Sequence, residues 1–365
     1  MISLPVFFVI PGDVATISGG YGYDRKLIEG LRSQGIAIHL VSLGSSFPHP
    51  TPQDSLDAAG ILANFPKESI VIIDGLALGA LSKKVIAKIK APIVALIHHP
   101  LAFEGDVSAE RRTQLIERER ENLKLASQVV VTSPSTAKLL TAEYGVPSEL
   151  VTIARPGIDK ETVSGKPVDP PLILSVGIQV PRKGHDVLLS ALSKISHLPW
   201  QAAIAGPVSD QAFGAKLIEM IDELGLHQKV KLLGEVSLNE LKILYSQASI
   251  FALATRFEGY GMVFGEAMVN GLPIVSCRTG AVPDTVPEDA GVLVDPDDPD
   301  SFAEELGNIL QNETLRAQLA SGSAAAGAKL ISWEQTSALV AQVLEDLAAV
   351  NLGQRSTREK RSDDD

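Results

Sequence analysis

Apolar residues gather along the chain in short runs of about five, separated by longer stretches in which apolar and polar positions recur at helical spacing. A short apolar run bounded by turn residues reads as a strand buried on both faces, and the longer periodic stretch as an amphipathic helix. Alternation of the two is the pattern of a parallel sheet covered by helices. The first half predicts strands at Val6–Ile10, Ala37–Ser42, Ile70–Asp74, Ile93–Ile97 and Val129–Thr132. A loop, Ser18-Gly19-Gly20-Tyr21-Gly22, follows the first of them and leads into a helix over Asp24–Ser33. A second series opens at Leu172–Gly177 and continues with strands at Gln201–Ala205, Val230–Leu233, Ile250–Ala254 and Ile274–Ser276. Its helices are predicted at His185–Ile195, Ala212–Leu224 and Leu238–Gln247. Lys160–Pro171, polar and proline-bearing, has linker composition. The pattern therefore predicts two doubly wound α/β domains, 1–160 and 168–334, and a last helix from Trp333 to Val350. A charged tail, 353–365, lacks a periodic apolar face and is expected to be disordered.

Chemistry concentrates in Thr255–Pro273. Two carboxylates, Glu258 and Glu266, stand eight positions apart with Gly259, Gly261 and Gly265 between them. The run Ala267-Met268-Val269 reads as helix, ended by Gly271-Leu272-Pro273. A strand, a glycine loop and a helix in that order put the loop at the carboxyl edge of an open sheet, where ligands bind. Such a loop lets an anion approach backbone N–H groups, and the following helix end adds partial positive charge. An ionised Glu there accepts from two ligand hydroxyls. The plain alternative is a helix start with acidic residues and tight turns.

Three further groups are candidates. Gly19 and Gly20 lie where a nucleotide-binding fold cradles phosphate, but their spacing is not G-x-G-x-x-G, which disfavours a dinucleotide. The strand Ile93–Ile97 ends in His98-His99-Pro100, and a histidine at a strand's carboxyl end can donate or accept a hydrogen bond. His99 is the weaker of the pair, and Glu104 a weaker candidate for acceptor contact. Arg182 and Lys183 put adjacent cations at a strand-to-helix loop, suited to phosphate oxygens. For the histidines the plain alternative is an idle loop residue, and for the cations a surface basic pair.

Phe257-Glu258-Gly259-Tyr260-Gly261, Glu266-Ala267-Met268 and Gly271-Leu272-Pro273 together resemble the E-x7-E motif of retaining, GT-B-type glycosyltransferases of family 4. The arrangement G-x4-R-K-G ending at Gly184 resembles that family's pyrophosphate-binding element. Pro156-Gly157-Ile158-Asp159 resembles its P-x-G-[IV]-D element with no residue between Pro and Gly. Thr279–Asp284 resembles a G-G-x-P-E turn, with Ala281 and Asp284 as departures, and Gly291–Pro296 resembles a G-x-L-V-x-P segment. The resemblance implies a GT-B fold: two Rossmann-like doubly wound domains facing across a cleft. The first domain would take the acceptor and the second the nucleotide-sugar, and a helix at about 335–352 would cross back onto the first.

The resemblance also implies the reaction: a hexose moves from a UDP- or GDP-linked donor to the hydroxyl of a sugar, lipid-linked sugar or small-molecule acceptor, with retention. His98, Glu258, Arg182 and Lys183 would form the catalytic group. Arg182, Lys183 and loop N–H groups would stabilise the departing diphosphate, making a metal unnecessary. Glu266 would bind the ribose, and Glu258 with the backbone of Gly259, Tyr260, Gly261 and Met262 would hold the sugar. His98 would contact that sugar from the opposing domain, Gly19 and Gly20 would lie near donor phosphate and acceptor, and the Gly234–Ser237 loop would hold the base. A front-face mechanism leaves Glu258 without the role of nucleophile. No cofactor is expected. The D-x-D spacings at Asp295–Asp297, Asp298–Asp300 and Asp363–Asp365 read as proline turns and tail, not metal sites. A nucleotide-sugar epimerase on the same fold and a catalytically silent sugar-nucleotide-binding protein are the alternatives.

Composition narrows the picture further. At 365 residues the chain is long enough for two cores. Lys and Arg total 32 against 44 Asp and Glu, and the whole excess lies beyond residue 160, where 28 acidic residues meet 16 basic ones. A net charge of −12 argues against general nucleic-acid binding. The single cysteine, Cys277, excludes an intramolecular disulfide and fits a reducing, cytoplasmic setting. Leu4–Pro11 is apolar but lacks a basic flank and reads as a first strand, not a signal peptide. Glu110–Ser127, with charges of both signs, reads as a solvated helix face. Lys83, Lys84, Lys88 and Lys90 also read as a charged surface helix, with weak peripheral contact at an anionic inner membrane face as the alternative.

Overall fold

The computed structural model of the chain describes residues 4–105 and 108–362, with side chains to residue 350. It divides into two compact units: Met1–Gly157 with Ile331–Asp365, and Ile158–Leu330.

The first unit holds six parallel strands, β1 (Val6–Pro11), β2 (Ile38–Leu43), β3 (Ile70–Asp74), β4 (Ile93–Ile97), β5 (Gln128–Val131) and β6 (Val151–Ile153), in the order β2-β1-β3-β4-β5-β6. Every residue of β3 and β4 is buried, as expected of central parallel strands covered on both faces. Successive side chains serve opposite faces. Val71 and Ile73 join one core with Ile97 and Leu101. Ile70 and Ile72 join the other with Leu27 and Leu31 of the helix Gly19–Ser33, and with Val340 and Leu344 of the helix Trp333–Ser362.

The second unit repeats the plan with β7 (Leu172–Val176), β8 (Gln201–Ala205), β9 (Val230–Gly234), β10 (Ala248–Leu253), β11 (Ile274–Cys277) and β12 (Gly291–Val294), ordered β12-β11-β10-β7-β8-β9 and parallel throughout. In each sheet the order reverses at one place, between β1 and β3 and between β7 and β10. Crevices outside the carboxyl ends of the strands at such a switch point are where open α/β sheets bind ligands.

The structure corrects several predicted boundaries. Gly19 and Gly20 are not loop residues but the first turn of the helix Gly19–Ser33. Ser18 caps that helix in an extended conformation, its side chain accepting from the Tyr21 N–H, and this fixes the start despite the glycines' poor helix propensity. The motif helix begins at Met262, so Met262, Gly265 and Glu266 are helical and the loop ends at Gly261. The charged helix runs Ala109–Leu123 and is not solvated all round, because Glu119 and Asn122 are buried. The edge strand β6, half-buried and exposed, has too few apolar residues to announce itself. The helix Trp333–Ser362 overlaps the expected tail, and 363–365 lie outside the described residues. Among the described residues no helix is long and apolar enough to cross a membrane.

Candidate active site

In the second unit, the segments after β7 and β10 meet at the switch point. After β7, Pro181–Lys183 forms one 3-10 turn, and Gly184, at φ 65°, turns the chain into the helix His185–Lys194. A Cβ on Gly184 would stand 1.8 Å from the Ala254 carbonyl oxygen, so the two segments approach to a distance only glycine allows. The Arg256 N–H donates to the Arg182 carbonyl at 2.8 Å, and Arg182 Nη1 donates to the Phe257 carbonyl at 3.1 Å.

These contacts bring Arg182, Lys183 and Glu258 together. Lys183 Nζ lies 2.7 Å from Glu258 Oε1, and Arg182 Nη1 lies 4.0 Å from Oε2. The Thr255 hydroxyl is 3.1 Å from Oε1. Glu258 is only 4% exposed. Burial alone would raise its pKa, but the Lys183 and Arg182 charges outweigh burial and hold it below the usual carboxylate range. Outside this cluster Arg256 donates to Asp186 at 3.0 and 3.2 Å and to Asp297 at 2.7 Å, tying the Glu258 loop to the helix after the cations.

Glu266 has a different environment. It sits on the helix Met262–Val269 and accepts from the Tyr245 hydroxyl at 2.7 Å. Burial raises its pKa, Asp159 adds to the rise, and the Tyr245 bond and Lys183 oppose it. The E-x7-E pair thus supplies one carboxylate locked among cations and one held by a phenol.

The first unit builds a second cluster at its own switch point. His98 follows β4, Asp74 ends β3, and Asp24 lies on the helix Gly19–Ser33. His98 Nε2 stands 3.1 Å from Asp24 Oδ1 and 3.5 Å from Asp74 Oδ2. Gly20 lies against the ring, where an added Cβ would come within 3.3 Å of His98 Cδ2, whereas Gly19 has nothing within 4 Å. His99 pairs with Glu104. Asp24, Asp74 and His98 each offer one ligand atom within 4.8 Å of the others, a donor set of metal-binding type. Sequence reasoning missed both aspartates. Asp74 carried a signal, as an acid closing an apolar strand, but Asp24 is one polar residue among several on an amphipathic helix. The D-x-D acids serve local structure: Asp297 pairs with Arg256, and Asp298 caps the helix Pro299–Gln311.

Known proteins resemble the chain over most of its length. D-inositol 3-phosphate glycosyltransferase of Xylanimonas cellulosilytica is 30% identical over 245 residues, 61% of this chain, and the chain spans 58% of that protein's length. MMP alpha-(1->4)-mannosyltransferase of Mycolicibacterium hassiacum is 28% identical over 333 residues, covering 85% of this chain and 78% of the relative. Among solved structures, sucrose-phosphate synthase from Thermosynechococcus elongatus superposes with a TM-score of 0.81 at 20% identity, covering 95% of this chain and all of that one. Anabaena HepE in complex with UDP and glucose gives a TM-score of 0.74 at 17% identity, with 93% and 99% covered. The two six-stranded sheets are those of the GT-B fold. Residues 158–325 match the family model described as Glycosyl transferases group 1, and that stretch carries Arg182, Lys183, Glu258 and Glu266.

Proposed function

We propose that the chain is a retaining glycosyltransferase of family 4 that moves a hexose from a nucleoside-diphosphate sugar to an acceptor hydroxyl without a metal. The observation that carries this reading is the cluster of a buried Glu258 and the partly buried Arg182 and Lys183, at the switch point of the unit that matches the Glycosyl transferases group 1 model. In the transfer the bond from the anomeric carbon to the diphosphate oxygen breaks, and the acceptor oxygen bonds from the same face. The acceptor's proton passes to the leaving phosphate. Negative charge grows on the diphosphate, and Arg182 and Lys183 stabilise it where a metal otherwise would. Lys183 has three N–H donors, so it can keep Glu258 and still reach a phosphate oxygen. Glu258, kept ionised, accepts from sugar hydroxyls, with the Gly259–Met262 backbone beside it. Glu266 takes the ribose. His98, Gly19 and Gly20 are the first unit's proposed contribution to the substrates.

UDP is the nucleotide to try first, because HepE was solved with UDP and glucose, and GDP the second. The single buried cysteine supports a cytoplasmic setting. The acceptor is a sugar, a lipid-linked sugar or a small molecule, and for a lipid-linked one Lys83, Lys84, Lys88 and Lys90 would offer weak contact with an anionic membrane. Calorimetric titration with UDP and GDP tests the site. Lys183→Ala is expected to weaken diphosphate binding at least about tenfold, the loss of one charge-assisted contact. Unchanged affinity would remove Lys183 from the donor site and the reading with it.

A further inference from the structure

The Asp24–His98–Asp74 cluster is a group of buried titratable side chains that the transfer chemistry leaves without a stated task. We propose that Asp24 and Asp74 are positioning residues that hold His98 as a fixed imidazolium, whose outward Nδ1–H donates to a substrate oxygen and cannot act as a base.

Geometry comes first. Both carboxylates meet the same ring nitrogen, Nε2, and two acceptors on one nitrogen assign it a hydrogen directed at the nearer, Asp24, with Asp74 alongside. Tyr23 packs edge-on against the ring at 5.2 Å, and the bare Cα of Gly20 closes another side. The ring is thereby held in one orientation. Nδ1 makes no hydrogen bond to any described residue, and it is not among the buried atoms that lack a partner. It is therefore the nitrogen open to a ligand.

Charge comes second. The ionisable groups facing the ring are Asp24 and Tyr23 from the helix, Asp74 from β3 and Glu104 from the segment after β4, with Tyr21 beside the two aspartates. Among the described residues neither Asp24 nor Asp74 has a Lys or Arg partner, so His98 is the one cation available to two buried carboxylates. A buried carboxylate without a cation is costly, and a neutral ring would leave Asp24 without one and Asp74 able to avoid the cost only by taking a proton. Burial pulls the His98 pKa down, but Asp24, Asp74 and Glu104 outweigh it and the net shift is upward. A fully charged ring uses Nδ1 as a donor, whereas a neutral ring with Nε2–H would leave Nδ1 a lone pair and a base. The clamp selects the first.

The test is the ring's nitrogen spectrum in the full chain, 15N-labelled and treated with EDTA, with His98 assigned by its absence from His98→Gln. The expected result is protonation of both nitrogens at about pH 7.5, and a midpoint lowered by about one pH unit or more in Asp24→Asn. A neutral ring at that pH, or a midpoint that Asp24→Asn leaves in place, would overturn the proposal. A second spectrum without EDTA and with added Mg2+ or Mn2+ tests the other occupant: a divalent cation bound by the three residues would make the ring neutral there and count against the proposal. Should Asp24→Asn fail to fold, Asp74→Asn serves, and the wild-type spectrum alone decides the charge. The catalytic consequence rests on the transfer reading: turnover should fall as pH rises through the spectroscopic midpoint. Absence of turnover with every nucleotide-sugar would fail that reading, while the spectrum still decides the clamp.

Discussion

The two sheets share a topology and carry opposite charge at the same place. At the β1/β3 switch point two carboxylates surround one cation, Asp24 and Asp74 around His98. At the β7/β10 switch point two cations surround one carboxylate, Arg182 and Lys183 around Glu258. Neither follows the bulk charge, since residues beyond 160 hold the chain's whole acidic excess yet carry the cationic cluster. Local charge at a switch point is therefore not set by the composition of the unit around it. A diphosphate calls for cations, and sugar hydroxyls call for acceptors and a few fixed donors.

The comparison makes its largest prediction when each cluster loses its nearest cation. Lys183→Ala leaves Glu258 buried with only the more distant Arg182 and removes the larger of the charges that oppose burial, so its pKa rises from below the usual range, and near neutral pH the carboxylate is left charged and poorly paired. Removing one partner of such a pair is expected to cost about 3 kcal/mol in urea unfolding. His98→Gln strands two acids, but Asp74, its pKa pushed up to about 7 by burial and by Asp24, can take a proton instead. Its loss is expected to be the smaller of the two at neutral pH. Equal losses would show that both clusters answer deletion alike, and the contrast would fall.

Glycine gives the next contrast. Gly184→Ala must hold alanine at φ 65° and push a methyl group to 1.8 Å from a backbone oxygen, an expected loss of about 2–3 kcal/mol. Gly20→Ala meets only an imidazole edge at 3.3 Å from within a helix, where alanine is the better former, and its net effect should stay within about 1 kcal/mol of zero. Thermal unfolding of both variants checks the ranking. An intolerant Gly20 would mean that the His98 ring cannot give at all.

Much of this layout was legible in the sequence, for a physical reason. Central parallel strands are continuous apolar runs, so β3, β4, β8 and their neighbours stand out from the chain. Arg182, Lys183, Glu258 and Glu266 follow such strands within one motif each, and the resemblance located them. What stayed hidden depends on pairing between distant segments. No local signal says that Asp24 meets His98, 74 positions away, or that Tyr245 meets Glu266. The Gly19-Gly20 misreading has a similar origin, since a Ser18 side chain and the packing of Leu27 and Leu31 overrode the glycines' propensity. Glu119, expected on a solvated face, instead accepts from the Leu101 N–H at 2.9 Å and holds the segment after His98.

Opposite charge also implies opposite response to pH. Glu258, with a lowered pKa, contributes stability present above its unfolded value near 4.5 and lost as pH falls through the folded value. His98, with a raised pKa, contributes stability present below about 6.5 and lost as pH rises through its folded value. Asp74 acts in the same direction: from 3.8 to about 7 the folded carboxyl keeps a proton that the unfolded chain has lost, so stability declines as pH rises through that window. The opening free energy of β3 and β4, from hydrogen exchange corrected for the intrinsic rate, should therefore fall as pH rises from about 4 to 7 and beyond 6.5, while that of β7 and β10 should fall only as pH drops below about 4.5. Parallel responses in the two sheets would break the comparison at its electrostatic root.

The smallest effect lies within the second unit. Tyr245 donates to Glu266 and stacks on Phe251 at 6.1 Å, so Tyr245→Phe keeps the ring and removes one hydrogen bond. The expected cost is about 1 kcal/mol in urea unfolding, the ordinary net value of such a bond. The phenol's bond lowers the Glu266 pKa against burial and Asp159, so its loss should raise that pKa further. At neutral pH more of the carboxyl would then be protonated, and a protonated Glu266 accepts poorly from ribose hydroxyls. UDP affinity in Tyr245→Phe should consequently recover as pH is raised, whereas affinity in Lys183→Ala should not, because no change of pH restores a missing cation. If Tyr245→Phe binds UDP as the wild type does at every pH, Glu266 does not depend on the phenol for its charge, and the distinction between the two glutamates reduces to the cations around Glu258.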